Sequence, residues 1–284
     1  MKSSSPKVLA LVFTFLMMAG GITAFAQTKR DEAWEILRVN VNEEDTEKRV
    51  QAIRVLGLLP GDPQALEIAH KAVEDKKREV RAAAATTLGQ LRSRTSVSRL
   101  RALLSDNEPS VALAAAAALM AYKDPAAYDV YYEILTGDRK TGGGLVATQL
   151  KMLKDPKKMA ALGIEEGIGF IPFAGIGLSV FKTVRVDDVS PIRAAAAKML
   201  ANDADPATSR ALVDATSDKN WIVKTAALEA IAKRGDPQLL SGILPAMMDD
   251  NTSVRCTAAA AVIRLSTLAN ARLPKERDKS PSGK

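Results

Sequence analysis

Residues 79–90 read EVRAAAATTLGQ, and softened copies of this stretch return along most of the chain. Val80 marks the phase of its copy, and a Leu, Ile or Val follows eight residues after the marker in every copy. The markers are 31 or 32 residues apart, except for one interval of 50. A fixed period of this length, built from helix-forming residues, is typical of a solenoid whose units bury their apolar faces against neighbouring units. The markers of units one to seven are Lys48, Val80, Val111, Gly142, Ile192, Val223 and Val254.

The composition favours an all-α protein. The 284 residues are 47% hydrophobic but only 4% aromatic, and Ala is abundant. Ala is the best helix former, and its small side chain lets helices approach closely. The formal net charge is +7, without a run of five or six basic residues, which argues against a nucleic-acid partner.

Residues 1–26 predict a secretory signal peptide. Lys2 and Lys7 precede an apolar core over Val8–Ala19, and a small-residue motif ends at Ala26. This order is typical of export with cleavage near Ala26, which predicts a periplasmic or extracellular protein. The alternative is an uncleaved anchor, but the apolar core is short for a membrane span of about 20 residues.

Each repeat reads as two helices joined by a short turn. In most units the first helix runs into an Asp-Pro pair, in which Asp suits the N-cap and Pro the first position of a second helix. The seventh unit has only its first helix, and residues 31–39 suit a short helix that covers the open face of unit one. The Asp-Pro prolines are Pro63, Pro125, Pro156, Pro206 and Pro237.

An acidic residue lies six positions before the residue that follows most markers, and that residue is usually basic. This spacing, the V-R pair ahead of an Ala-rich helix and the unit near 30 residues resemble HEAT repeats, particularly the short kind of phycobilisome lyases. The resemblance implies a right-handed α-solenoid of about seven two-helix repeats over residues 27–270, with an acid–base ladder between adjacent units. The simpler alternative is that each Asp only caps a helix and each basic side chain is solvated. Capping and the ladder are compatible, because a capping carboxylate can accept further hydrogen bonds. The ladder residues are Asp75, Arg81, Asp187, Arg193, Asp218, Lys224, Asp249 and Arg255.

Unit four departs from the pattern. Gly142 to Gly144 replace its marker and basic residue, and the long interval adds an apolar, Gly-rich insertion at about 163–182. Three interpretations of the insertion stay open: it packs on the solenoid, docks a protein or contacts a membrane. Residues 271–284 are polar and predict a disordered tail.

Residues that could carry chemistry are scarce. His70 is the single histidine and Cys256 the single cysteine, so the common metal sites and the usual nucleophile–base pairs have no candidates. The iron-binding hydroxylases built on HEAT repeats use His-Glu pairs, whereas Ala69 and Lys71 flank His70. The sequence therefore predicts a non-enzymatic protein without a cofactor.

The candidate function is a binding surface. The resemblance places second helices on the concave side, and the second helix of unit three concentrates three of the four tyrosines. Tyr combines rigid contact area with a polar tip, although these rings could also fill space between units. With neighbouring arginines they would suit an acidic or extended peptide. The predicted partner-binding residues are Tyr128, Tyr131, Tyr132, Arg99, Arg101, Phe170 and Phe173.

We therefore expect an exported scaffold that binds a protein or peptide. One alternative is a lyase- or chaperone-like accessory protein acting on a cofactor-bearing protein. The other is a peripheral membrane protein that uses the insertion at 163–182.

Overall fold

The computed structural model describes residues 25–136 and 189–271, and all regular elements in these two ranges are helical. The signal segment, the insertion, the tail and nearly all of unit four lie outside them. In the first range α1 spans 25–41, α2 Thr46–Val55, α3 Pro63–Ala72, α4 Arg78–Leu91, α5 Val97–Leu103, α6 Pro109–Met120 and α7 Pro125–Thr136. In the second, α8 spans Ser190–Met199, α9 Pro206–Ala215, α10 Trp221–Arg234, α11 Leu240–Ile243 and α12 Thr252–Ala271.

The helices stack as the period predicts. The first helices of successive units pack side by side, α2 on α4 and α4 on α6 in one range, α8 on α10 and α10 on α12 in the other. Most second helices pack mainly against the first helix of the following unit, as α3 does on α4, α5 on α6 and α9 on α10. The second helix α7 packs on α6 of its own unit. The all-α solenoid predicted from the sequence is confirmed. None of the described helices is long and apolar enough to cross a membrane.

The Asp-Pro pairs start second helices for the expected reason. The Asp62 carboxylate accepts hydrogen bonds from the backbone N–H groups of Gln64 and Ala65, which have no partner within α3. Asp236 makes the same kind of cap, but there the chain forms a 3₁₀ turn, the single turn of α11, and a second 3₁₀ turn. Pro245 explains the difference, since it lacks the N–H that a continuing α-helix would need.

Small residues set the distance between first helices. A Cβ atom at Gly89 of α4 would lie 2.9 Å from the Cβ of Ala118 in α6. Such closeness leaves no room for larger side chains, and Ala84 and Ala115 are likewise completely buried. The Ala-rich composition is therefore the packing requirement of the stack.

The last described unit contacts the first, which the period alone does not predict. The last helix, α12, packs on α2 of unit one as well as on α10. Residues 256–263 of α12 are all buried, so every face of this part of the helix is covered by other elements, α2 among them. The sequence predicts an open row of units, whereas the structure covers the outer face of unit one with the last helix.

The first helix, α1, completes this closure. It is longer than the predicted 31–39 segment and buries Trp34 and Leu37. Its Arg30 pairs with Asp62, the N-cap of α3, at 3.1 Å. Arg101 of α5 pairs in the same way with Asp124, the residue just before α7. Therefore α1 holds the place of a second helix ahead of α3, and α12 the place of a first helix ahead of α2.

Candidate functional site

The predicted tyrosines lie on α7, which Ala127 and Val130 anchor through their buried side chains. All three rings are exposed: Tyr128 by 51%, Tyr131 by 39% and Tyr132 by 60%. Because a regular helix holds them, their Cβ positions are fixed while the rings face outward. The arrangement offers aromatic area without the entropy cost of ordering a loop.

Tyr122, the fourth tyrosine, serves the fold instead. It is packed partly against the core, and its hydroxyl donates a hydrogen bond of 2.6 Å to the carbonyl of Leu88 in the preceding unit. Burial is the main cause that raises the pKa of Tyr122 above its ordinary value. This ring is therefore not part of the exposed surface.

The two predicted arginines differ in what they contact. Arg101 donates to both carboxylate oxygens of Asp124, at 2.7 Å from Nη2 and 3.2 Å from Nε. This hydrogen-bonded pair raises the pKa of Arg101 and lowers the pKa of Asp124. Arg101 thus holds the start of α7, so it positions the tyrosines. Arg99 lies with Arg101 on α5 and is exposed.

The remaining predicted site residues, Phe170 and Phe173, lie outside the described residues, as does the ladder residue Asp187. The link between Arg101 and Asp124 was missed because the sequence interpretation treated Asp124 only as a cap. Its signal was present in the sequence, since an N-cap carboxylate keeps lone pairs for a second donor.

The ladder joins each described unit to the next. Arg81 pairs with Asp106 of the following unit through two parallel bonds, Nε to Oδ2 at 2.8 Å and Nη2 to Oδ1 at 2.9 Å. Its third nitrogen, Nη1, donates to the carbonyl of Asp75 at 2.8 Å. Arg49 makes the corresponding pair with Asp75, at 3.2 Å from Nε. Each arginine therefore fastens its own turn and the next unit together.

The second range repeats the ladder. Arg193 pairs with Asp218, and Lys224 pairs with Asp249. Arg255, in the last unit, donates to the carbonyls of Asp249 and Asp250. Asp218 also accepts from the Asn220 amide, so one carboxylate both caps a turn and joins two units.

Burial and hydrogen bonding act in opposite directions on these carboxylates. Burial opposes the ionisation of Asp218 and Asp249, but hydrogen bonds from a backbone amide and from the paired cation outweigh it. The pKa of each carboxyl is therefore held below its ordinary value. Both ladder acids remain charged at neutral pH.

His70 comes within hydrogen-bond distance of a hydroxyl. Its Nε2 lies 2.9 Å from the Oγ of Ser96, which is the pairing a nucleophile and its base would use. Ser96 has no exposed surface, so the bond joins units one and two rather than facing a substrate. Burial, and secondarily the charge of Arg99, lowers the pKa of His70.

Cys256 lies completely buried in α12, and burial raises the pKa of its thiol to about 11. Over residues 25–136 and 189–271, His, Cys, Asp and Glu side chains come together nowhere in a group of three that could hold a metal ion.

These features define a class, the α-helical repeat proteins whose two-helix units are joined by a ladder of cation–carboxylate pairs. A family model for HEAT repeats matches residues 34–119, 78–141 and 182–264, which is more than half of the chain. The chain belongs to the HEAT-repeat family.

Two solved structures show what the chain is similar to. Human deoxyhypusine hydroxylase in complex with glycerol is 17% identical, with a TM-score of 0.32, over 85% of this chain and 98% of that one. The phycocyanin lyase complex of CpcE and CpcF from Nostoc sp. PCC7120 is 20% identical, with a TM-score of 0.33, over 84% of this chain and 94% of that one. No curated protein matches the sequence. Neither likeness says what this chain does.

Proposed function

We propose that this chain is an exported, non-catalytic HEAT-repeat scaffold that binds a protein or peptide through α5 and α7 of units two and three. The observation that carries the proposal is the exposure of the tyrosines on α7. Buried apolar side chains stabilise the fold, whereas several large rings exposed on one rigid helix are typical of a recognition surface.

The neighbouring charge indicates the kind of partner. Arg99 is exposed on α5, and the charge of Arg101 is neutralised locally by Asp124. The surface therefore combines aromatic rings with the exposed cation of Arg99, which suits an extended peptide that carries carboxylates. Phe170 and Phe173 of the insertion stay part of the proposed surface, as predictions from the sequence.

Site-specific photocrosslinking in the native host tests the surface. A benzophenone amino acid at Tyr128 is expected to give one discrete adduct, which mass spectrometry then identifies. The matched control carries the same group at Glu47, which is exposed on α2 away from the tyrosines. Identical adducts from both positions, or an adduct that survives Arg99→Glu undiminished, would contradict the proposed surface.

Substitution gives an independent readout. Tyr128→Ala combined with Tyr132→Ala is expected to weaken capture of the identified partner at least tenfold, because hot-spot aromatics each contribute about 1–2 kcal/mol to binding. Circular dichroism should stay unchanged, since both rings are exposed. Undiminished capture would place the partner elsewhere on the chain.

Export is tested separately. The proposal expects the protein from the native host in the periplasmic or extracellular fraction, with an intact mass that begins at Gln27. Recovery of a chain that still carries residues 1–26 in the membrane fraction would instead favour the uncleaved anchor.

A further inference from the structure

Two first helices end on a cation in a strained backbone conformation. Arg92 and Lys123 stand twelve residues after the markers of units two and three, with φ angles of 53° and 54°. Gly235 holds the same position in unit six, with a φ angle of 65°. Glycine is the residue that helix ends favour in this left-handed conformation, because a Cβ atom is strained there. Units two and three therefore give up local stability at a position that unit six fills with glycine.

The turn of unit two departs from the repeat at two further positions. In units one and three the second helix begins with an Asp-Pro pair, whereas unit two has Ser93 and Arg94. The Ser93 side chain makes no capping hydrogen bond, so the carboxylate and the proline that favour a helix start are both replaced. The replacements remove an acid and add a cation close to Arg92. Local stability does not explain this change, which concentrates positive charge at the turn.

The cations of these two turns are exposed and have no carboxylate partner. Arg81 and Arg101 of unit two form ion pairs. Within the described part of the chain, no carboxylate pairs with Arg92, Arg94 or Lys123, and all three side chains are exposed. Units one and three, which flank the turn of unit two, belong to the described residues. The exposure of Arg92 and Arg94 is therefore a property of the stack.

Tyr122 shows that the cations of units two and three lie close together. Its hydroxyl donates a hydrogen bond of 2.6 Å to the carbonyl of Leu88, one turn before the end of α4. Burial raises the pKa of Tyr122, and the nearby charge of Arg92 opposes that rise. Lys123 follows Tyr122 directly in the chain. The cations therefore share the edge of the stack at which first helices turn into second helices. We call Arg92, Arg94 and Lys123 the cationic edge.

The spacing of the cationic edge suits an extended acidic peptide. First helices that pack side by side lie about 8–10 Å apart, so cations at one position of adjacent units are separated by about that distance. A peptide in the polyproline II conformation rises about 3.1 Å per residue, so carboxylates three residues apart are separated by about 9 Å. Arginine binds a carboxylate through parallel N–H groups, which favours carboxylates as the anions bound here.

The surroundings of the edge favour a peptide over other anionic partners. Among residues 92–95 and 121–124, the single aromatic ring is that of Tyr122, and its hydroxyl is bonded inward to Leu88. Stacking on nucleic-acid bases needs exposed rings, and insertion into a membrane needs exposed apolar side chains. The edge therefore offers charge and hydrogen-bond donors, which an acidic peptide can use without either.

We propose that the cationic edge binds an acidic segment of the protein or peptide partner, in an extended conformation with a carboxylate at every third residue. Arg92 and Lys123 contact successive carboxylates, and Arg94 adds a second guanidinium on the side of unit two. This inference rests on the proposed function for the class of partner, and it adds the charge pattern of the segment that is recognised. The tyrosines of α7 contact another part of the same partner.

Two synthetic peptides test the edge without the rest of the partner. The spaced probe is a fluorescein-labelled peptide of repeated Asp-Pro-Ser triplets, and the clustered probe has the same composition with all its Asp residues adjacent. Fluorescence anisotropy with the full mature chain is expected to show about tenfold tighter binding of the spaced probe, because it engages both units at once. Equal total charge of the two probes cancels unspecific attraction.

Glycine substitution separates binding from folding. Arg92→Gly combined with Lys123→Gly removes two charges and relieves the left-handed strain, so it should raise the urea midpoint while weakening binding of the spaced probe about tenfold. The matched control is Lys76→Gln combined with Lys77→Gln, which removes two charges at the opposite end of α4. This control should bind the spaced probe as the unsubstituted chain does.

The tyrosine variant distinguishes this inference from the proposed function. Tyr128→Ala combined with Tyr132→Ala should leave binding of the spaced probe unchanged, because the probe carries no side chain that suits the rings. If the spaced probe does not bind while the photocrosslink at Tyr128 still forms, the edge is refuted and the tyrosine surface stands. If the probe binds and the crosslink is absent, the reverse holds.

Three further results would overturn the inference. The first is equal binding of the spaced and clustered probes, which would reduce the edge to unspecific charge. The second is a loss of binding in the Lys76 and Lys77 control as large as in the glycine variant. The third is binding to phosphatidylglycerol vesicles that the glycine variant loses, without binding of the spaced probe, which would assign the edge to a membrane surface.

Discussion

Removal of one ladder carboxylate should destabilise the whole stack. Asp106→Ala deletes the two parallel hydrogen bonds from Arg81, at 2.8 and 2.9 Å, and the bond from the Glu108 amide at 2.9 Å. The two paired side chains are only 17% and 10% exposed, so water replaces these contacts poorly. Hydrogen bonds to charged groups contribute about 1.5–3 kcal/mol each, and they are not additive. Arg81 keeps its carbonyl partners in unit two, so we expect a loss of about 3 kcal/mol.

Two further variants separate the components of that loss. Asp106→Asn keeps an oxygen for the Glu108 amide and loses the charge pair, so it should cost about 1.5 kcal/mol. Arg81→Met keeps the apolar stem and should cost about 2 kcal/mol. In the double variant Arg81→Met with Asp106→Asn the losses should not add, and the coupling energy should be about 1.5 kcal/mol.

Urea unfolding followed by circular dichroism measures these free energies, provided that the slope with denaturant is unchanged. The matched control is the Lys29–Glu32 pair within α1, whose side chains are 29% and 47% exposed. A surface pair of this kind is worth about 0.3–0.5 kcal/mol. A ladder coupling energy no larger than the control's would refute the reasoning, since it would mean that the inter-unit pairs are as well solvated as surface ones.

Three other predictions concern single residues. The pKa of His70 is lowered in the folded chain, so near this pKa the folded state binds fewer protons than the unfolded state. The contribution of His70 to the free energy of unfolding should be fully present above about pH 6.5 and be lost as the pH falls. Between pH 7.5 and 5.5 the urea midpoint of His70→Gln should therefore change less than that of the unsubstituted chain. Cys256, with its thiol pKa raised to about 11, should resist a thiol reagent at pH 8 until urea unfolds the chain. Gly89→Val should cost about 2 kcal/mol by overpacking against Ala118, measured as a lower urea midpoint, whereas Gln90→Val at an exposed position should change it little.

Much of the fold follows from the sequence because each unit buries its side chains against a neighbour of the same design. Val80, Ala84 and Leu88 are completely or almost completely buried, as their recurrence predicts. The period also places the carboxylates and cations of the ladder, because an acid at the turn and a base six residues later recur in most units. Periodicity therefore encodes contacts between nearest neighbours.

Features that depend on more than nearest neighbours were not predictable in this way. The contact of α12 with α2 depends on the curvature that small rotations accumulate over the whole stack, and no single unit carries that information. The role of Arg101 was missed for a more local reason, since its partner Asp124 was treated only as the N-cap of α7. The sequence also could not predict whether the tyrosines are exposed, because rings that pack between units and rings that bind a partner have the same spacing along a helix.

The contact between α12 and α2 changes which helices of the described stack are expected to fray first. In a linear stack the terminal units expose apolar faces and fray first. Here α1 and α12 supply the two halves of a unit and cover the outer face of unit one, so neither helix is an exposed end of the described stack.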